Sequence, residues 1–510
     1  MLSRLRGSAL VWAITLSCAS CYLLFGYDQG VLGGLVTQPS LLNALGNPSA
    51  GYLGTIVALY NIGCLAGCVI SAIWGNVLGR KRSILIGCSI MVVGATIQTS
   101  SFGAPQMIAG RLITGVGNGM NTSTVPVYVA ETSKQHRRGA MIALQLSVVI
   151  MGIVLAYWLD YASVRTLSGE IVWRFPVGFQ IVFALVTMAT LPFLPDTPRW
   201  LYSHGRKAEA IDALARLMDT TIDDSAVQNI KTQMEDALQL EHAHDGGSLK
   251  TLLYDKSPVR KTRRLVLCFM IYFMQMFTGI NVIAFYVTIV LEVNVGLSKE
   301  TSSLVAGFVQ MAFWLGTLPP IYMLDKYGRR KTMLWGSVAL SISMILFTIG
   351  IALNTPATNR LALAMLFVYE ISFGMSWNSM PWLYAAEITP LEIRHIGGAV
   401  GPFSEWLWTF VIVIMTPAAV ENTGWRIYIL FCVMLVLSIP FVYFFLPETA
   451  NKTLEEIDLI FLTTEEKADL ELSLAHPDQV AIATQYTGSE NTATDTKYTE
   501  ATQLRATKSP

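Results

Sequence analysis

Two oppositely charged residues stand alone inside long apolar stretches of the sequence. Asp28 lies in the stretch that begins near Leu10, and Arg111 lies in the one that begins near Met107. A charge in such a segment is costly, so it must face a cavity, find a partner or, if it is a carboxylate, take up a proton. A carboxylate that alternates between an arginine and a proton could couple proton movement to a conformational change. The alternative is a permanent ion pair that only joins two helices.

The overall composition is that of a membrane protein. Of the 510 residues, 53% are hydrophobic and 14% are charged, whereas a soluble chain carries about a quarter charged residues. Several apolar stretches exceed the roughly 20 residues that cross a bilayer. They begin near Leu10, Tyr52, Ile84, Met107, Met141 and Phe175, and again near Leu265, Leu304, Met333, Leu361, Gly397 and Ile427. We therefore predict an all-α membrane protein with about twelve transmembrane helices.

Three short motifs occur once in each group of six stretches. Gly79-Arg-Lys81 recurs as Gly328-Arg-Arg330, Tyr128-Val-Ala-Glu131 as Tyr384-Ala-Ala-Glu387, and Leu194-Pro-Asp-Thr197 as Leu446-Pro-Glu-Thr449. The offsets are 249, 256 and 252 residues. This near-constant offset predicts two copies of a six-helix unit. Two such halves suit alternating access, with the substrate site at mid-membrane between them.

The polarity of the chain divides it into four segments. We predict a first six-helix half at 1–199, a helical linker at 200–262, a second half at 263–461 and a polar tail at 462–510, whose composition is typical of disorder. Basic residues follow the second, fourth and eighth stretches, while residues 35–50 contain none. The positive-inside rule then places the linker and both termini in the cytoplasm.

Other classes of protein find no support in the residues. The formal net charge is zero, which gives no electrostatic case for nucleic acid. No phosphate-binding loop, nucleophile triad or dinucleotide motif occurs. Cys18 and Cys21 lack a second Cys/His pair, so we interpret them as helix-packing residues rather than metal ligands. The sequence therefore predicts no enzyme, no cofactor and no metal.

The motifs taken together resemble those of the sugar porter family of the major facilitator superfamily. In the first half they are Phe25-Gly-Tyr-Asp28, Gly110-Arg111, Pro126-x4-Glu131 and Leu194-Pro-Asp-Thr-Pro-Arg-Trp200. In the second half they are Gln275-x3-Gly-Ile-Asn281, Asp325-x2-Gly-Arg-Arg330, Pro381-Trp-x4-Glu387 and Pro447-Glu-Thr449. The resemblance runs from Leu10 to Phe461. The sequence around Asp28 and the motif Tyr157-Trp-Leu-Asp160 are most similar to those of fungal plasma-membrane members. It implies a multi-pass plasma-membrane transporter that acts as a monomer in the lipid bilayer.

The resemblance also implies the residues of a sugar site. Sugars need amides for their hydroxyl pairs and aromatic faces for their C–H surface. The matching positions are Gln275, Asn281, Trp382 and Trp406, and Gln145 lies one residue out of register with a family glutamine. The alternative roles are an interhelical hydrogen bond for each amide and an interfacial anchor for each tryptophan.

Three positions depart from the family pattern. Asn76 stands where the family usually has Asp, Met276 replaces the second glutamine of a Gln-Gln pair, and Glu405 replaces an amide. Glu405 could accept hydrogen bonds from the cargo or handle protons, or it could form a salt bridge near a helix end. Because Met276 and Glu405 touch the implied sugar site, they leave the exact cargo open.

The resemblance further implies proton coupling and a charged gate. An Asp at the position of Asp28 marks proton-coupled members of the family, with Arg111 as its partner. We expect the charges at the cytoplasmic side to pair between the halves when the inside is shut, although positive-inside topology explains part of the basic content. These gate residues are Arg80, Glu131, Arg138, Asp196, Arg199, Asp325, Arg329, Glu387, Arg394 and Glu448.

Our leading prediction is monosaccharide:proton symport. The alternatives are an uncoupled facilitator, a carrier of glycerol, another polyol or a sugar acid, and a nutrient sensor that does not transport. Sensors of this fold typically recruit partners through a long cytoplasmic tail, and few residues follow Thr464 here.

Overall fold

The computed structural model of the chain describes residues 5–132, 138–243, 260–389 and 394–450, together with 452, 457, 460 and 461. Within these residues all regular structure is helical, which confirms the predicted all-α class. Ten stretches are long and apolar enough to cross a membrane. One of them, Val400–Phe445, contains two helices, and the helix Ala104–Thr132, which carries Arg111, is a further span outside the ten. The predicted number of about twelve spans is therefore confirmed.

The first half contains six long helices and one short connecting helix. They are α1 (Gly7–Leu35), α2 (Pro39–Ala44), α3 (Ala50–Leu78), α4 (Arg80–Thr99), α5 (Ala104–Thr132), α6 (Arg138–Thr166) and α7 (Ile171–Thr190). Between the halves lie α8 (Pro198–Ser203), α9 (Lys207–Met218) and α10 (Ser225–Ala243).

The second half also has six spans, three of which are interrupted. The first is α11 (Lys261–Met276) with α12 (Ile280–Ile289), the second is α13 (Lys299–Gly316) with α14 (Pro320–Tyr327), and the third is α15 (Arg329–Leu353). The fourth is α16 (Pro356–Met375) with α17 (Met380–Ile388), followed by α18 (Arg394–Thr423) and α19 (Ile427–Phe445).

The same helix pairings occur in both halves. In the first half α1 packs on α6, and α4 packs on α5 and α7. The equivalent pairs in the second half are α11 with α18, and α15 with α16 and α19. This repeated packing is what the sequence offsets predict for two copies of one six-helix unit.

The halves meet mainly where α3 packs on α18, α6 packs on α13 and α14, and α1 packs on α12. Thr288 donates a hydrogen bond to the Gly33 carbonyl across the last of these pairs, at 2.7 Å. We call the helix ends that carry Arg80 and Arg329 the basic side, and the other ends the opposite side. Gly33 and Thr288 lie toward the opposite side, near the ends of α1 and α12.

The outer surface of the bundle is apolar and its interior contains the charges. Large side chains such as Leu16, Trp74 and Phe444 are exposed on membrane-spanning helices. Asp28 and Arg111 are buried in the interior. A lipid-facing surface explains this distribution, because hydrocarbon solvates apolar side chains and excludes charges.

The region between the halves packs against the basic side. The Arg216 guanidinium of α9 donates to the Leu5 carbonyl just before α1, at 3.5 Å. Tyr202 of α8 donates to the Glu235 carboxylate of α10, and burial together with this hydrogen bond raises the pKa of Tyr202 to about 12. The boundaries predicted for the four segments remain a prediction, and the tail at 462–510 lies outside the described residues.

Candidate functional site

Asp28 and Arg111 form an ion pair between α1 and α5, as the sequence predicts. Arg111 Nη1 donates to Asp28 Oδ1 at 3.2 Å, and both side chains have an exposed fraction of 0%. The second carboxylate oxygen, Asp28 Oδ2, has no hydrogen-bond partner. The pair is therefore half satisfied: the arginine holds one oxygen, and the other is free to accept a hydrogen bond or a proton.

A tyrosine on α3 supports the arginine of this pair. The Arg111 guanidinium lies 4.5 Å from the centroid of the Tyr60 ring, and Arg111 Nη2 donates to the Val57 carbonyl at 3.4 Å. Sequence reasoning missed Tyr60, because its contact depends on how α3 and α5 pack. A Cβ on Gly115 would lie only 2.2 Å from the Tyr60 carbonyl, so α3 can pack this closely only on a glycine of α5. The spacing of glycines along α5 was therefore the one signal in the sequence for this contact.

The ring of Tyr60 also contacts the other half of the protein. Trp406 of α18 is fully buried, and its ring centroid lies 6.1 Å from that of Tyr60 and 5.5 Å from that of Phe25 on α1. The indole N–H of Trp406 has no partner. Trp406, a residue of the implied sugar site, is thus separated from the ion pair only by the ring of Tyr60.

Gln275 and Asn281 lie on either side of a break between α11 and α12. The break occurs at Gly279, whose φ of +98° is readily adopted only by glycine. Gln275 Nε2 donates to the carbonyls of Trp377 and Asn378, at 3.0 and 3.4 Å, while its Oε1 has no partner. The amide of Gln275 therefore joins α11 to the interruption between α16 and α17 and still presents a free acceptor.

Met276 and Asn281 contact each other at the same break. Asn281 Nδ2 donates to the Met276 sulfur and to Thr409 Oγ1, each at 3.1 Å. Thr409 also donates to this sulfur, at 3.1 Å. The thioether that replaces the family's second glutamine is only a weak acceptor, so it offers the cargo less hydrogen bonding than an amide.

The remaining candidates of the sugar site lie on three different helices. Trp382 of α17 is half-buried and makes an edge contact with Tyr272, with centroids 5.6 Å apart. Gln145 of α6 is buried, and its amide nitrogen has no partner. The interruption between α16 and α17 precedes Trp382, so two interrupted spans border the site, as is common where a transporter binds its substrate.

Glu405 lies well inside α18 rather than near a helix end. It is buried, and its Oε2 has no hydrogen-bond partner. No ion pair to Glu405 occurs among the residues that the structure describes. The salt-bridge alternative thus has no described partner, and a role of Glu405 toward the cargo or a proton stays a prediction.

The charges on the basic side pair within each half. Arg80 bonds to Glu131 at 3.1 Å, and Arg329 bonds to Glu387 at 2.8 Å. Our expectation of pairs between the halves when the inside is shut stays a prediction, since these described ion pairs each lie within one half. Each arginine is the first residue of a helix, α4 or α15, that follows a glycine with positive φ. Helix packing within the same half places the glutamate next to the arginine.

Two further carboxylates of the predicted gate accept backbone hydrogen bonds. Glu448 accepts from the N–H groups of Arg329 and Arg330 at the start of α15, at 2.8 and 3.1 Å. Asp196 accepts from the Thr197 N–H at 2.9 Å. Burial raises the pKa of Asp196, and this hydrogen bond together with the nearby positive charge of Arg80 opposes the rise. Both carboxylates hold a loop in place within one half.

The other gate candidates contribute less to the described geometry. Arg199 is exposed on α8. The side chains of Arg138, Asp325 and Arg394 lie outside the described residues. Among the residues that are described, no group of three potential metal ligands occurs.

Comparison with known proteins agrees with this architecture. A family model described as sugar (and other) transporter matches residues 12–461. The sugar transporter STL1 of Saccharomyces cerevisiae is 34% identical over 470 residues, which cover 90% of this chain and 82% of the relative. The MFS-type transporter oryC of Aspergillus oryzae is 35% identical over 463 residues, covering 89% of this chain and 86% of the relative.

The solved structures of similar fold include a transporter with a bound sugar analogue. The proton:xylose symporter XylE of E. coli, bound to 6-bromo-6-deoxy-D-glucose, matches with a TM-score of 0.75 at 26% identity. The match covers 89% of this chain and 100% of that structure. These relatives and this fold are those of transporters rather than enzymes, and the chain belongs to the sugar transporter family of the major facilitator superfamily.

Proposed function

We propose that the protein is a monosaccharide:proton symporter of the plasma membrane that works by alternating access, with both termini in the cytoplasm. The observation that carries the proposal is the half-satisfied Asp28–Arg111 pair. One carboxylate oxygen is bonded to the arginine at 3.2 Å, and the other has no partner although the side chain is fully buried. A buried carboxylate in a membrane protein marks a functional site by default.

The coupling step follows from the charges of the pair. A proton that binds Asp28 Oδ2 makes the side chain neutral, and the attraction that joins α1 to Arg111 on α5 weakens. Arg111 keeps the Val57 carbonyl and the ring of Tyr60, so its charge stays solvated by the protein. Loss of the proton restores the ion pair. The contact between α1 and α5 thus has two states, one for each protonation state of Asp28.

The cargo would bind where the interrupted spans of the second half face the first half. Gln275 Oε1 is free to accept a hydrogen bond from a hydroxyl group, and the rings of Trp382 and Trp406 offer faces for the apolar side of a sugar. The names of the relatives support a sugar, since they include a sugar transporter and hexose transporters. Met276 and Glu405 depart from the family's amides and favour, as a second candidate, a polyol, whose hydroxyl groups can donate to the Glu405 carboxylate.

Uptake in yeast that lacks its own sugar carriers tests the proposal. Radiolabelled hexoses, pentoses, glycerol, other polyols and a sugar acid are each offered at an external pH of about 5 and about 7, with and without an uncoupler. We expect accumulation of at least one monosaccharide that is faster at the lower pH and collapses with the uncoupler. If the cargo equilibrates without accumulating, and the uncoupler has no effect on its uptake, the protein is instead a facilitator.

A further inference from the structure

A second carboxyl group is buried between the membrane-spanning helices, on α6. Asp160 has an exposed fraction of 0%, and neither of its carboxylate oxygens has a hydrogen-bond partner. It forms no ion pair with any cation that the structure describes. The proposed coupling step at Asp28 makes no use of it.

The backbone of α1 covers this carboxyl group. A Cβ added to Gly34 would lie 2.2 Å from Asp160 Oδ2, and one added to Gly33 would lie 2.1 Å from the Tyr157 hydroxyl. The two glycines therefore let α1 press directly on these side chains. As long as α1 and α6 stay packed, water cannot reach Asp160.

Asp160 lies next to the contact between the two halves on the opposite side. Tyr157, one helical turn before it, donates to the Ala284 carbonyl of α12 in the other half, at 3.0 Å. Gly33 accepts from Thr288 of α12 at 2.7 Å. The helix α12 is kinked at Tyr286, where φ is −138° and ψ is 21°. Opening of the halves on this side must break both hydrogen bonds and uncover the region around Asp160.

Among the residues that the structure describes, the titratable groups in direct contact with Asp160 are phenols. They are Tyr27 of α1 and Tyr157 of α6 itself. The Tyr27 hydroxyl donates to the Pro176 carbonyl of α7, and the Tyr157 hydroxyl is bonded to α12. Both phenol hydroxyls thus donate their hydrogen bonds to backbone carbonyls and not to Asp160. Asp28, the carboxyl group of α1, is paired with Arg111, and Tyr157 also faces the carboxyl group of Glu370 on α16.

The charged groups farther toward this side have partners of their own. Arg174 of α7 bonds to Glu170, and Arg165 of α6 bonds to Glu300 of α13. Glu292, after α12, accepts from Thr37 at 3.2 Å. With no described cation beside Asp160, a proton is the group that can neutralise it, since an unpaired charge in such a site is strongly unfavourable.

We propose that Asp160 is a second proton-binding site, which holds a proton while the halves are closed on the opposite side and releases it to water when they open there. The carboxylic acid gives up its proton to become a carboxylate, and the same group must take a proton back before α1 can close over it. Uptake and release occur on one side, so this proton is not carried across the membrane. Closure on that side then slows as the pH of that side rises. The inference rests on the proposed alternating access, and not on the role of Asp28.

The first test needs no substrate. The infrared spectrum of the purified full-length protein in lipid shows protonated carboxyl groups through their C=O stretch and its shift in heavy water. At neutral pH we expect Asp160→Asn to lose one such band, while Glu300→Gln, a change of an exposed carboxylate on the same side, keeps it. Identical carboxyl bands in the wild type and Asp160→Asn would overturn the proposal.

The second test follows exchange of D-glucose, with glycerol as a second probe, in de-energised cells at varied external pH. The Asp28→Asn background removes the pH dependence of the coupling pair. We expect exchange in that background to fall by up to about tenfold per pH unit above the pKa of Asp160, and the fall to vanish when Asp160→Asn is added. Equal pH profiles of the single and double variants contradict the proposal.

The two measurements also separate this inference from the proposed function. If neither probe is transported, the infrared bands still decide whether Asp160 carries a proton. If Asp160→Asn does not reach the membrane, Asp160→Glu replaces it. That variant must keep a protonated band and show a pH profile displaced from the wild type, and an unchanged profile counts against the site.

Discussion

The guanidinium of Arg111 lies over the ring of Tyr60, 4.5 Å from its centroid. Trp406 of the second half packs its edge-on ring against the same tyrosine, with centroids 6.1 Å apart. A cargo molecule that displaces Trp406 would therefore change the surroundings of Tyr60, and through it the position of Arg111 relative to Asp28. This chain of contacts offers a physical route from the sugar site to the ion pair.

The first prediction concerns this ring. A desolvated cation–π contact contributes about 2 kcal/mol, so Tyr60→Leu should lower proton-driven accumulation by up to about thirtyfold. Tyr60→Phe keeps the ring and should retain most of the accumulation, since the cation–π contact does not need the hydroxyl. Uptake at two pH values measures both variants. Equal losses in the two would show that the ring itself is not what matters.

The second prediction concerns the carboxylate of the ion pair. Asp28→Asn keeps the shape of the side chain but can no longer bind or release a proton. We expect it to abolish uphill, pH-driven uptake while exchange of labelled for unlabelled cargo continues. The matched control is Asp219→Asn on the linker, far from the pair, which should transport like the wild type. Unchanged accumulation in Asp28→Asn would falsify its role in coupling.

The third prediction separates the sugar site from general helix packing. Gln275→Leu removes the free acceptor and a bond to the Trp377 carbonyl, each of which is worth about 1–3 kcal/mol when buried. The Michaelis constant for the cargo should rise about tenfold or more. Gln180→Leu is the control, because Gln180 is an equally buried amide that bonds to the Val177 carbonyl of its own helix. If both variants change the Michaelis constant alike, Gln275 acts through packing.

The fourth prediction concerns the start of α15. Glu448 accepts from two backbone N–H groups there, where the helix dipole also favours a negative charge. Glu448→Gln should lower the thermal stability of the detergent-solubilised protein by several degrees, because one oxygen acceptor becomes a donor that faces an N–H group. Glu421→Gln, at an exposed position of α18, is expected to leave the melting temperature unchanged. The measurement is the thermal melting curve of each variant, and equal melting temperatures for the two variants count against a structural role of Glu448.

The repeat offsets and the family motifs predicted the helices, the two halves and the Asp28–Arg111 pair from sequence alone. Residues such as Gln275 and Arg111 are recognisable because an isolated polar group in an apolar segment demands a partner. Tyr60 was not recognised as a site residue, because its importance lies in a close helix contact at Gly115, and Asp160, although an isolated carboxylate, was interpreted only as part of a family motif. The pairing of Arg80 with Glu131 inside one half was also unforeseeable, since sequence spacing shows which charges share a side but not which are adjacent.

The last prediction concerns Glu405, where the family has an amide. Its carboxylate is buried, and Oε2 has no partner. If it accepts hydrogen bonds from the cargo, Glu405→Gln should shift the substrate range toward the hexoses and change the pH profile of uptake. The control is Glu421→Gln at the exposed end of the same helix, which removes a solvent-exposed carboxylate. A substrate range and pH profile that Glu405→Gln leaves as they are would place Glu405 among the packing residues, because the loss of its buried carboxylate would then have no effect on the cargo.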